Sequence, residues 1–160
     1  MKNINWTKTV IAVVACLSVG YLSSFITRSA ITNWYSTLEK PFFNPPNWLF
    51  APVWSSLYIL MGIALGIVWS KYQKNNAEVK NALQVFVFQL LLNALWSLLF
   101  FGLKNPLLAF IEIILLWLVI YEAIKSFRKI DGLASKLLIP YLAWVSFATI
   151  LNGSIWYLNR

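Results

Sequence analysis

The sequence predicts an all-α polytopic membrane protein, a bundle of five transmembrane helices, and three observations carry that prediction. Of the 160 residues, 60% are hydrophobic and only 11% charged, whereas a soluble domain is about half apolar and roughly a quarter charged. The stretch Leu83–Leu103 holds no charge at all. Five apolar windows, each near the ~20 helical residues that a ~30 Å hydrocarbon core requires, alternate with the segments that hold the basic residues. Unpaired backbone amides and carbonyls are too costly in lipid, so each window must close its own hydrogen bonds as a helix; the alternation that marks barrel strands is absent.

The first window, residues 9–27, follows Lys2 and Lys8 and contains Ser18-Val19-Gly20, a loose fit to a signal-peptide cleavage site. Its apolar run continues to Ile26, long enough to span, so the segment is expected to stay as the first helix. Residues 28–49 form a long connection rich in aromatics and proline. Pro41, Pro45 and Pro46 fix φ and push the preceding residues towards extended geometry, and loops of this length in a compact domain are often functional, so a lid is expected here. The second helix, 50–70, carries Gly62 and Gly66, a GxxxG pair that admits a close neighbour either within the bundle or across a dimer. A charged loop, Lys71 to Asn81, leads to the third helix, 82–102. Leu103–Asn105 is a tight turn into the fourth, 106–124, and a second charged loop, Lys125 to Lys136, precedes the fifth, 137–158. With no internal repeat, low-complexity tract or soluble appendage, residues 1–160 read as one transmembrane domain.

A net charge of +8 would suit nucleic acid, but the Lys and Arg residues are confined between apolar runs and read as membrane topology instead. Lys2, Lys8, Lys71, Lys74, Lys80, Lys125, Arg128, Lys129 and Lys136 fall on one side, and Arg28, Lys40, Lys104 and Arg160 on the other. The positive-inside bias therefore places the amino terminus in the cytoplasm and the lid outside, in what the Lys, Asn and Ile usage suggests is a bacterial cytoplasmic membrane. Histidine is absent and Cys16 is the single cysteine. That composition removes disulfide frameworks, Cys/His metal sites and histidine acid–base chemistry; no metal or resident cofactor is expected.

Nine tryptophans are present. Trp6, Trp48, Trp69 and Trp156 sit where headgroup anchors are expected. Trp96 and Trp144 lie well inside their helices, and Trp54 falls in the first turn of the second helix, beneath the lid. Gln89, Asn93, Trp96 and Ser97 recur at spacings of three and four, so they share one side of the third helix. Tyr141, Trp144, Ala148 and Asn152 form a matching stripe on the fifth. Amides inside a membrane must turn inward, either to bond neighbouring helices or to line a cavity, and the adjacent aromatics favour a cavity for a flat hydrophobic ligand. Glu112, inside the fourth span, is a functional candidate or a structural hydrogen-bonding group, while Glu122 can reach water at the helix end. Leu151, Tyr157 and Arg160 satisfy a loose sterol-contact pattern of little weight.

The segment from Trp34 to Gly62 resembles the first loop and second helix of the translocator protein / tryptophan-rich sensory protein family. The resemblance rests on Trp34-Tyr35, Leu38, Lys40-Pro41, Pro45-Pro46-x-Trp48, Ala51-Pro52-x-Trp54 and Leu57-Tyr58-x-x-Met61-Gly62. Gln89, Asn93, Trp96, Phe100-Phe101-Gly102, Glu112, the PYLAW run from Pro140 and the FATILN run from Phe147 extend it over about four-fifths of the chain. It implies a five-helix protein, often a homodimer, with a pocket under the first loop for porphyrins, isoquinoline carboxamides or benzodiazepine-type ligands and, in animals, cholesterol. By position the pocket would use Tyr35, Trp54, Asn93, Trp144, Ala148 and Leu151, to which the polar stripe adds Trp96; Trp54 and Trp144 are the positions tied to porphyrin chemistry. Gly153 and Tyr157 replace the tyrosine and arginine of the animal sterol motif, which argues against sterol recognition.

The expected function is thus tetrapyrrole binding by a sensory or regulatory membrane protein. Without histidine a bound haem iron would be left with tyrosine or Cys16, so metal-free porphyrin is the easier ligand to justify. Light-dependent porphyrin degradation through Trp54 and Trp144 is one alternative, as no other catalytic group stands out. Transport of porphyrin or sterol-like ligands, argued from Glu112 and the lid, is another, although neither an inverted repeat nor a pair of broken helices is visible.

Overall fold

A computed structural model describes residues 4–73 and 76–160. Lys2 and Lys74, two of the basic residues used for topology, lie outside the described residues. The helices are α1 (Trp6–Asn33), α2 (Asn47–Ser70), α3 (Ala77–Ser97), α4 (Pro106–Ile130), α5 (Gly132–Leu137) and α6 (Ile139–Leu158), with no strand among the described residues. Among the described residues, five segments are long and apolar enough to cross a membrane, α5 and α6 together forming the last. Large apolar side chains such as Leu91 and Ile111 face outward all along the spans, as lipid contact requires.

The helices overrun the windows read from hydropathy, because polar residues cap them beyond the apolar core. Asn5, Asn76 and Asn105 each accept a backbone N–H three residues on, and Asp131 accepts those of Leu133 and Ala134. The expected loop 125–136 is accordingly helical up to Ile130 and again over α5, with Arg128 and Lys129 in the last turn of α4 where cations suit the helix dipole. The expected lid 28–49 contracts to residues 34–46, since α1 continues to Asn33 and α2 starts directly after Pro46, whose extended ψ of 144° ends the loop. The third span closes on a π-helical turn, Leu98–Gly102.

Two ends of the bundle are stitched differently. At one, the Asn5 N–H donates to Ser70 Oγ, Lys8 Nζ donates to the Trp69 carbonyl, and Lys71 pairs with Asp131 at 2.7 Å. Burial acts to raise the Asp131 pKa, but Lys71 and the backbone N–H groups of Ala134 and Leu133 outweigh it and hold the carboxyl below its ordinary value. At the other end the lid is pinned to the C-terminus of α6: the Glu39 N–H donates to Asn159 Oδ1, and Asn159 Nδ2 returns a bond to the Glu39 carbonyl.

The GxxxG pair is spent inside the bundle. A Cβ on Gly62 would overlap the backbone of Val13, and one on Gly66 would overlap the backbone of Thr9. Further along, the Tyr58 ring covers Gly20 so closely that no methyl fits there. Helices α1 and α2 therefore touch backbone to backbone along this seam, where association depends on packing quality rather than on hydrophobic drive. Replacing Gly62 with Ala should lower stability by about 1–3 kcal/mol through overpacking. Gly132→Ala, where nothing lies within 4 Å of the new methyl, should be neutral; reversible unfolding in mixed micelles measures both.

Candidate functional site

From the Gly20–Tyr58 contact towards the lid, a cavity of about 490 Å³ lies between α1, α2 and α3. Its size falls in the range of small-molecule pockets, roughly 300–1,000 Å³. From α1 come Leu17, Gly20, Tyr21, Ser24, Thr27 and Arg28; from α2 come Asn47, Phe50, Trp54 and Tyr58; from α3 come Asn93, Trp96 and Ser97. Tyr35 of the lid and Phe101 of the π turn close the lid end. The small side chains on one face of α1 keep the space open, while the aromatics of α2 and α3 supply its walls.

Asn93 forms the polar floor. The Tyr58 hydroxyl donates to Asn93 Oδ1, and Asn93 Nδ2 donates to the Tyr141 hydroxyl at 2.9 Å, so a single amide ties α3 to α2 and α6. Asn152 does the same for a neighbouring layer of the bundle. Trp96 Nε1 donates to its Oδ1 at 3.0 Å, and its Nδ2 donates to the Pro106 carbonyl at 2.8 Å. Both amides are thus interhelical braces, and only Asn93 also reaches the cavity. The brace on Trp96 fixes the indole, which stacks on Phe100 at 5.3 Å with an interplanar angle of 23°.

The lid has its own internal order. The Tyr35 hydroxyl donates to Asn44 Oδ1 at 2.7 Å, and Lys40 Nζ sits 4.9 Å from the Tyr35 ring centre while donating to the Leu38 carbonyl. Burial pushes the Tyr35 phenol up to about 12. Beneath it, Phe100 packs on Trp34 and Tyr35 at 5.6 and 6.2 Å. The π turn is what turns Phe100 and Phe101 to this side, a local departure typical of functional regions.

Of the residues expected at the site, Tyr35, Trp54, Asn93 and Trp96 line this cavity together. Trp144, Ala148 and Leu151 do not. Phe50 stands between: Trp144 packs edge-on against it at 6.1 Å and against Phe147 at 5.4 Å, behind the cavity wall. Ala148 packs on the main core, and Leu151 belongs to the cluster of Tyr35, Phe100, Ala109 and Ile155. The expected pair of indoles is split for that reason, Trp54 facing the cavity with Tyr58 and Tyr141 beside it. The α1 wall lies outside the residues expected at the site, although Leu17, Gly20, Ser24, Thr27 and Ile31 recur at helical spacing and mix small polar residues into an apolar span.

Glu112 is buried, and neither of its carboxyl oxygens has a hydrogen-bond partner among the described residues; the same holds for the Gln89 amide and the Trp144 Nε1–H. None of the three lines the cavity. Glu122, by contrast, pairs with Lys125 at 2.8 Å on the exposed surface.

The profile of the TspO/MBR family matches residues 12–158. A tryptophan-rich protein TspO of Archaeoglobus fulgidus is 45% identical over 97% of this chain and 99% of its own length. A translocator protein of Ovis aries is 34% identical over 88% of this chain and 83% of its own, and a tryptophan-rich sensory protein of Cereibacter sphaeroides is 32% identical over 98% and 94%.

Because the Asn93 oxygen is buried, Tyr58→Phe removes its donor and should cost about 1 kcal/mol. The same change at an exposed phenol, Tyr157→Phe, should leave stability unaltered. Unfolding in mixed micelles separates the two.

Proposed function

The chain belongs to the TspO/MBR family, and from that footing we propose that the cavity under the lid binds a tetrapyrrole, with metal-free protoporphyrin the ligand its walls suit best. One observation carries the reading: a slot of about 490 Å³ flanked by two indoles, Trp54 and Trp96, and floored by the Asn93 amide. A flat aromatic ring gains most from faces and edges of this kind, and a braced indole loses little freedom on binding. With no histidine in the chain, ring contacts rather than iron ligation carry the affinity. Isoquinoline carboxamide and benzodiazepine-type ligands fit the same description. The protein then acts as a membrane sensory or regulatory protein, its lid facing away from the cytoplasm.

Photochemical degradation of the bound porphyrin is the second reading, favoured by the position of Trp54 on the cavity wall. Trp144, behind Phe50, is poorly placed for it. A transport role drawn from Glu112 gains no support, because that carboxyl lies off the cavity.

Titration of the purified protein with protoporphyrin, followed by tryptophan quenching, tests the binding reading. Trp54→Leu should weaken binding about threefold to tenfold, the ~0.5–1.5 kcal/mol of one aromatic contact, and Trp144→Leu should change it little; equal losses would favour a site spanning both indoles. Orientation is checked with an impermeant maleimide on intact cells: with the native Cys16 buried, Ser36→Cys on the lid should label and Lys136→Cys should not.

A further inference from the structure

We propose that Arg28 is the anchoring residue for an acidic ligand, so that the cavity selects a flat apolar body bearing a carboxylate at the lid end. The inference rests on the tetrapyrrole reading and adds to it the charge the ligand must carry. Among the described residues lining the cavity, Arg28 is the one that carries a charge. It sits near the end of α1, and Asn47, the first residue of α2, faces the same cavity from the other side. No ion pair and no hydrogen bond engages the Arg28 guanidinium among the described residues; the two carboxylates in ion pairs, Asp131 and Glu122, are taken by Lys71 and Lys125.

Several of the other polar groups that line the cavity are already bonded. The hydroxyls of Ser24, Thr27 and Ser55 donate to the carbonyls of Tyr21, Ser23 and Ala51 in their own helices. At the floor, both polar atoms of Asn93 are held by Tyr58 and Tyr141. A ligand therefore finds uncharged walls below and, among the described lining residues, a single free cation above, a polarity that orients an amphiphile with its acid at the lid. Guanidinium is the side chain best shaped to hold a carboxylate through two parallel bonds. The competing account is that Arg28 extends to lipid headgroups from a helix end, and it predicts no ligand preference.

The test compares protoporphyrin IX with its dimethyl ester, identical in ring but neutral at its side chains, on the full-length protein in nanodiscs of zwitterionic lipid. The acid should bind about tenfold tighter than the ester to the unaltered protein, the gap should close in Arg28→Gln by loss of acid affinity alone, and Arg28→Lys should restore some of it. Equal affinity of acid and ester in the unaltered protein, or a gap that survives Arg28→Gln, overturns the proposal while leaving tetrapyrrole binding intact. If neither form binds, the tetrapyrrole reading itself falls and takes this inference with it. Arg28 is exposed, so its substitution leaves the packed bundle in place.

Discussion

The backbone contact between α1 and α2 is the constraint from which the cavity follows. At Gly62 and Gly66 the two helices meet with no side chain between them, which only glycine permits. At Gly20 the same seam must admit the Tyr58 ring, and beyond it α2 carries Trp54 and Phe50. Helices packed this closely at their glycines, with aromatic rings of α2 facing α1 nearer the lid, border a wedge of space between them. The lid covers that wedge, pinned at Asn159 to a helix that lies outside the seam.

Polar bonds across the bundle keep the wedge in shape. In hydrocarbon a buried amide without partners is costly, so Asn93 and Asn152 lock the rotation of the helices they join. The result is a preorganised wall: the Trp96 indole is bonded at its nitrogen, stacked on Phe100, and already faces the ligand space. Preorganisation of this kind limits the entropy lost on binding. Gln89, Glu112 and the Trp144 nitrogen, buried with no partner among the described residues, stand as the unbalanced members of the same polar interior.

Much of this is legible in the chain alone. The spans, the tight turn at residues 103–105 and the inward direction of the amide stripe follow from hydropathy, spacing and the cost of bare polar groups in lipid. Caps are harder to see, because Asn76 and Asp131 look like loop residues until the N–H groups they accept are known. The α1 wall is hidden since its Ser and Thr residues satisfy themselves on their own helix and leave no obligation visible in the sequence. The roles of Asn93 and Asn152 stay open for the opposite reason: an amide can satisfy itself against a neighbour or a ligand, and spacing does not distinguish them.

The solvent of this protein, its five membrane-spanning segments and the family to which its lid and helix motifs point can all be read from the chain, because they depend on composition and on periodicity within one segment. That Trp54 and Trp96 share a cavity while Trp144 stands behind Phe50, and that the glycine pair serves α1 rather than an external surface, emerges from the packing of the folded bundle. Those outcomes depend on how far apart two helix axes lie at a given depth. That separation is set by contacts such as Val13 with Gly62, between residues distant in the chain, and no single helix records it.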